Sequence, residues 1–217
     1  MLTKELFSSV PSYLEALFSE SVYPWEILPK IKEYIHILQK ELSDDYQCIG
    51  DGVYVGKNVD LSPSATLIGP CIIGDGCEIR PGAYIRGNVI TGKECVLGNS
   101  SEFKNCILLD KVQAPHYNYV GDSVLGNFAH LGAGVILSNL KSDGSDVCVK
   151  AKDKSYYTSL RKMGAILADH ADIGSGSVLN PGTIIGKNTS VYPLTSVRGV
   201  IGANYIVKSA NNIVERQ

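Results

Sequence analysis

The stretch Cys71-Ile72-Ile73-Gly74-Asp75-Gly76-Cys77-Glu78-Ile79-Arg80-Pro81-Gly82-Ala83-Tyr84-Ile85 decides the fold. A large apolar residue stands at 73, 79 and 85, and a small one at 71, 77 and 83. The period is six. Backwards it reaches Leu67, Leu61, Val55 and Ile49; forwards it reaches Thr91, Leu97, Phe103 and Leu109. Four residues after these come Val53, Val59, Ala65, Val89, Cys95, Ser101 and Ile107, small or β-branched until Gln113 ends the run. The register then slips by four residues at Pro115-His116-Tyr117-Asn118 and resumes at Tyr119, Leu125 and Leu131. After a longer break it returns at Leu167 and runs through Ile173, Leu179, Ile185, Val191 and Val197.

Six is neither the helical period of 3.6 nor plain strand alternation. It suits short strands joined by tight corners, each hexad sending one large and one small side chain inward. Stacked units of this kind bury a continuous core. Glycine, 22 of 217 residues, supplies the crowded corner positions. Cys71, Cys77 and Cys95 fall in the small inward slot and read as small apolar residues without disulfides.

Residues 1–46 lack the period. Pro24-Trp25-Glu26 reads as a helix start, followed by the stripe Ile27, Leu28, Ile31, Ile35, Leu38 and Leu42. A shorter helix is expected over Ser12–Phe18. The expected division is a helical segment, 1–46, capping the open end of a β domain, 47–217, with a loop insertion at about 138–165. His36 reads as a surface histidine.

Apolar residues make up 44% of the chain and charged residues 19%, which suits a packed core. A net charge of −2 disfavours nucleic-acid and anionic-membrane binding. No run of about 18 apolar residues suggests a membrane span. Met1-Leu2-Thr3-Lys4-Glu5 lacks a leader pattern. A cytoplasmic protein is expected.

Several motifs occur in order: Arg80-Pro81-Gly82-Ala83, Gly98 to Lys104, His116-x-x-Tyr119-x-Gly121-Asp122, Leu131-Gly132-Ala133-Gly134 and Asn139. Together they resemble the hexapeptide-repeat acetyltransferases. The likeness is to the acetyltransferase half of the bifunctional enzymes that acetylate glucosamine-1-phosphate and then uridylylate the product. Arg161-Lys162-Met163-Gly164-Ala165-Ile166 resembles the archaeal versions. The resemblance implies an all-β fold, a left-handed parallel β-helix, assembled as a homotrimer. It also implies an acetyl-CoA co-substrate, an amino-sugar 1-phosphate acceptor and no metal.

Residue by residue, the resemblance makes His116 the general base and the Ala133 N–H the donor to the thioester oxygen. It makes Arg80 and Lys104 the phosphate ligands, and Tyr119 and Asn139 the sugar contacts. His130 stands in the acceptor pocket where the family carries Asn, and Ser175 matches a coenzyme contact. The chemistry is coherent, because an amine must lose a proton to attack a thioester and the carbonyl oxygen then gains charge. Arg86 lies eighteen residues before Lys104, so one coil should stack the two. The basic stretch 138–165, with Tyr156 and Tyr157, reads either as a coenzyme contact or as a solvated hairpin.

Two other classes compete. One is a trimerising or regulatory β-helix without catalysis, partnering a separate nucleotidyltransferase. The other is a zinc carbonic anhydrase using His116, His130 and His170.

Overall fold

A computed structural model describes residues 1–43 and 45–216. From Val53 onward the chain winds as a left-handed parallel β-helix of three flat faces. The first face stacks Val53–Val55 on Cys71–Ile73 and Val89–Thr91. The second stacks Asp60–Leu61 on Glu78–Ile79, and the third Thr66–Ile68 on Tyr84–Arg86. Register partners here lie eighteen residues apart, three hexads to a coil. Cys71, Cys77, Ala83, Ile73, Ile79 and Ile85 all point inward and are buried. Thr91 takes one large inward slot, and its buried hydroxyl accepts a hydrogen bond from the Gly74 N–H at 2.8 Å.

The inward register differs from the sequence reading in three ways. It begins at Val53. Ile49 is exposed, in a strand Gln47–Gly50 that folds back antiparallel on Val53–Val55. The four-residue slip at His116 is two single-residue omissions elsewhere. Glu102–Leu108 and Tyr119–Leu125 each turn from the third face onto the first within one strand, and each corner is one residue short. Cys106 therefore sits opposite Val89, and Ser123 opposite Cys106, at seventeen residues. Cys106, Leu108, Val112 and Val120 face the core, where the uninterrupted period would place Ile107, Leu109, Gln113 and Gly121. Two successive losses of one residue look, in the sequence, like one gain of four.

The helical segment is the third difference. It runs through Thr3–Leu6, Ser12–Leu14, Glu15–Ser19, Pro24–Lys30 and Ile31–Glu41. Pro29 lacks an amide hydrogen, and the stretch around it is a 3₁₀ helix, the α-helix starting only at Ile31. The segment does not cap an open end. It lies across the first face, burying Leu14, Ile27, Ile31 and Ile35 against the outward residues Ile72, Ile90, Ile107, Val124, Ile166 and Ile184. Each coil thus offers that face one apolar residue outward, and the protein has two cores sharing a sheet.

The last strands, Tyr205–Ser209 and Asn212–Glu215, form an antiparallel hairpin. Both ends of the solenoid therefore finish on a folded-back strand, which blunts the pairing edge. The insertion follows Ile136–Leu137 and holds the hairpin Cys148–Lys150 with Ser155–Tyr157. Its Val147, Val149 and Met163 join the core beneath the helices. Tyr156 packs on Tyr23 and Trp25, which stack at 4.7 Å.

Candidate active site

The third face lies between two corners of different character. At the corner shared with the second face, successive coils turn through Tyr117, Gly134 and Gly176, all with positive φ. His116, Ala133 and Ser175 each precede one of these residues. The Gly134 N–H donates to the His116 carbonyl at 3.0 Å, and the Gly176 N–H to the Ala133 carbonyl at 2.8 Å. The structure therefore brings His116, Ala133 and Ser175 into one column, three coils deep.

His116 is exposed, and its imidazole has no hydrogen-bond partner among the described residues. Its backbone is pinned instead. The N–H donates to Asn118 Oδ1 at 3.1 Å, and buried Asn118 donates through Nδ2 to the Gly132 carbonyl at 2.8 Å. Pro115, just before it, packs over Gly98; a Cβ on Gly98 would collide with the Pro115 backbone. The result is a fixed backbone carrying a free ring, as a general base needs. Ala133 is also exposed, and its N–H donates no hydrogen bond among the described residues.

The other corner, shared with the first face, is the shortened one. Asp122 is buried there, and its carboxylate collects three side chains. Lys104 Nζ lies at 3.1 Å, Asn105 Nδ2 donates at 2.9 Å and Asn139 Nδ2 at 2.5 Å. Asn139 Nδ2 also donates to the Tyr119 hydroxyl at 3.1 Å. Gly121 leaves room for that pair: a Cβ there would come within 2.6 Å of the Tyr119 oxygen and 2.8 Å of Asn139 Nδ2. Burial, then the charges of Glu102 and Asp122, raise the Tyr119 pKa, so the ring keeps its proton for donation. Lys104, Tyr119 and Asn139 are thus one constellation.

The two arginines separate. Arg80 lies on the second face, forked onto Glu78 at 2.8 and 3.1 Å, away from Lys104. This pairing holds the Glu78 carboxyl below its ordinary pKa. Arg86 lies one coil below Lys104 on the third face, with Nη1 at 2.5 Å from Glu102. Its signal in the sequence was the eighteen-residue spacing from Lys104.

His130 is on the second face, between Gln113 and Asp172. Its Nδ1 lies 2.8 Å from Asp172 Oδ1. His170 stacks on Phe128 at a third corner, with centroids 4.7 Å apart. His116, His130 and His170 thus occupy separate positions, and the described residues contain no group of three His, Cys, Asp or Glu placed to hold a metal. No described helix is long and apolar enough to cross a membrane.

Residues 67–155 match the family described as the GMPPB C-terminal domain. The chain is 31% identical over 202 residues to the bifunctional protein GlmU of Methanococcus maripaludis, covering 90% of this chain and 46% of that protein. It is 33% identical over 122 residues to a bifunctional sugar-1-phosphate nucleotidylyltransferase/acetyltransferase of Sulfurisphaera tokodaii, covering 56% and 30%. Among solved structures, AntD, an N-acyltransferase from Bacillus cereus, matches with TM-score 0.41 and 21% identity, covering 84% of this chain and 89% of that one. The chain spans about half the length of the curated relatives it matches.

Fold and motifs together define a hexapeptide-repeat β-helix. Within that class the chain resembles the acetyltransferase half of the GlmU-type bifunctional proteins.

Proposed function

We propose that this protein is an acetyl-CoA-dependent N-acetyltransferase acting on an amino-sugar 1-phosphate. The observation that carries the reading is the single column of His116, Ala133 and Ser175 beside the Lys104–Tyr119–Asn139 constellation on one face. His116 accepts the proton of the attacking amine. The Ala133 N–H, free of other hydrogen bonds among the described residues, stabilises the oxyanion that forms from the thioester carbonyl. The N–C bond forms, the C–S bond breaks, and the coenzyme leaves as the thiol. The reaction needs no oxidant and no metal. Lys104 and Arg86 take the phosphate, and Tyr119 and Asn139 the sugar. In this arrangement Arg86, one coil below Lys104, replaces Arg80, which lies on another face.

The acceptor crosses the third face from corner to corner. His130 lies beside that path, near Ala133 in the chain, and its ring is oriented by Asp172. The assembly that goes with this reading is a homotrimer. The helices cover the first face, while the second and third stay open to neighbouring copies. A relative is a bifunctional sugar-1-phosphate nucleotidylyltransferase/acetyltransferase, so a nucleotidyl transfer would consume this product.

The test is release of free thiol from acetyl-CoA in the presence of glucosamine-1-phosphate or galactosamine-1-phosphate. Turnover with one of them and not with the free amino sugar supports the reading. No turnover with any amino-sugar phosphate, from a protein that light scattering shows to be trimeric, transfers the weight to a non-catalytic trimerising role.

A further inference from the structure

Above Lys104 the third face continues through Gly121, Ser138 and Asn180 to Arg198 at successive coils. The insertion leaves this column after Ser138, and its two ends are joined by a bridge between Leu140 and Lys162. Beside it is a recess of about 380 Å³ whose lining includes Ser138, Lys141, Ser142, Asp143, Asn180 and Arg198. The acyl-transfer chemistry uses none of these residues.

Arg198 differs from Arg80 and Arg86. Arg80 is paired with Glu78 and Arg86 with Glu102. Arg198 has no carboxylate partner among the described residues. Its Nη2 instead donates to Asn180 Oδ1 at 3.1 Å. Asn180 is itself fixed, donating through Nδ2 to Ser196 Oγ at 3.0 Å and to the Val197 carbonyl at 2.8 Å. The guanidinium is therefore oriented while its charge stays uncompensated. Lys141 adds a second cation, shared with Asp143 at 3.5 Å and held by Ser145. Two cations and the Ser142 hydroxyl around a recess at the small end of the ligand-site range suit a compact anion. A planar guanidinium fork matches two phosphate oxygens.

We infer that this recess binds a diphosphate or phosphomonoester group. The group belongs either to coenzyme A or to a nucleoside diphosphate carried by the acceptor. The inference deepens the acyl-transfer reading, and its test requires no turnover.

The test is calorimetric titration of the whole protein with coenzyme A, 3′-dephospho-coenzyme A, uridine diphosphate and inorganic pyrophosphate. Wild type is compared with Arg198→Gln and Lys141→Gln. Arg198 is exposed, so the variants should melt with wild type. At least a tenfold weakening in Arg198→Gln, with a smaller loss in Lys141→Gln, is expected for one ligand. Weakening confined to coenzyme A assigns the recess to the donor; weakening confined to uridine diphosphate assigns it to a nucleotide-bearing acceptor. Unchanged affinity for all four probes in both folded variants overturns the inference, whatever the acetyltransferase assay shows. Absent turnover with the predicted weakening retained would instead overturn the acyl-transfer reading alone.

Discussion

The two corners of the third face are built on the same coil and have opposite characters. The His116 corner is regular, one backbone turn per coil, with an imidazole and an amide that carry no partner among the described residues. The Asp122 corner has lost one residue in each of two coils, and its polar side chains are bound to each other. The difference separates reactivity from irregularity. Under the proposed function, the groups that act on the substrate are presented from a regular scaffold with their reactive atoms free. The break in the repeat is instead where a buried carboxylate is tied down and a lysine positioned.

The largest expected effect tests the regular corner. His116→Ala should lower turnover by roughly 10²–10⁴-fold, the usual range for losing a general base. The melting temperature should not move, because the side chain packs in neither core. A folded variant with undiminished turnover would end the assignment.

The irregular corner should answer in stability. Asp122→Ala strips Lys104, Asn105 and Asn139 of their acceptor. Removing one partner of a buried charged network costs about 3–5 kcal/mol. Urea unfolding reads this directly. A loss below about 1 kcal/mol, the level of an exposed ion pair, would show that the carboxylate does not organise the corner.

A second contrast sets the covered first face against the open third face. Ile90→Ala removes a side chain buried between sheet and helices and should cost about 2–5 kcal/mol. Thr66→Ala, exposed on the third face, should stay within about 0.5 kcal/mol. Equal small effects would mean that the helical segment is only loosely laid on the sheet.

The inward thiols give the smallest effect. Burial pushes the Cys71 pKa from the ordinary 9.0 up to about 12, and raises those of Cys95 and Cys106 as well. A folded pKa raised above the unfolded value means that the native state keeps protons the unfolded chain releases. This stability is full below about pH 9 and is lost as pH rises towards about 12. The melting temperature should fall progressively between about pH 9 and 12. Exposed Cys48 should react with a thiol reagent at once, while Cys71, Cys77 and Cys95 should not. Rapid labelling of all three would mean that they do not face inward.

The solenoid was legible because a parallel stack repeats its demands at every coil. Cys71, Cys77 and Ile73 lie inside, where the period puts them. The first-face cover was less legible. Its signal, an apolar outward residue at Ile72, Ile90 and Ile107, hides between inward residues and reads as general hydrophobicity. The last helix ends at Glu41 and the first strand starts at Gln47, and the packing of the helical part along the side of the solenoid has no signature in that change. The column of His116, Ala133 and Ser175 and the grouping of Lys104, Tyr119 and Asn139 emerge only in the structure. Arg80 lies on another face than Lys104, because a motif fixes position along the chain while coil spacing fixes the face. His116 was singled out for an interruption that lies elsewhere, at Asn105 and Asp122.

A structure of the protein with coenzyme A and an amino-sugar 1-phosphate bound tests the central claim most directly. The account predicts the phosphate against Lys104 and Arg86, the acceptor nitrogen facing the His116 ring, and the Ala133 N–H aimed at the position of the thioester oxygen. A sugar phosphate seated on the second face against Arg80 and His130, with His116 out of reach, would contradict it.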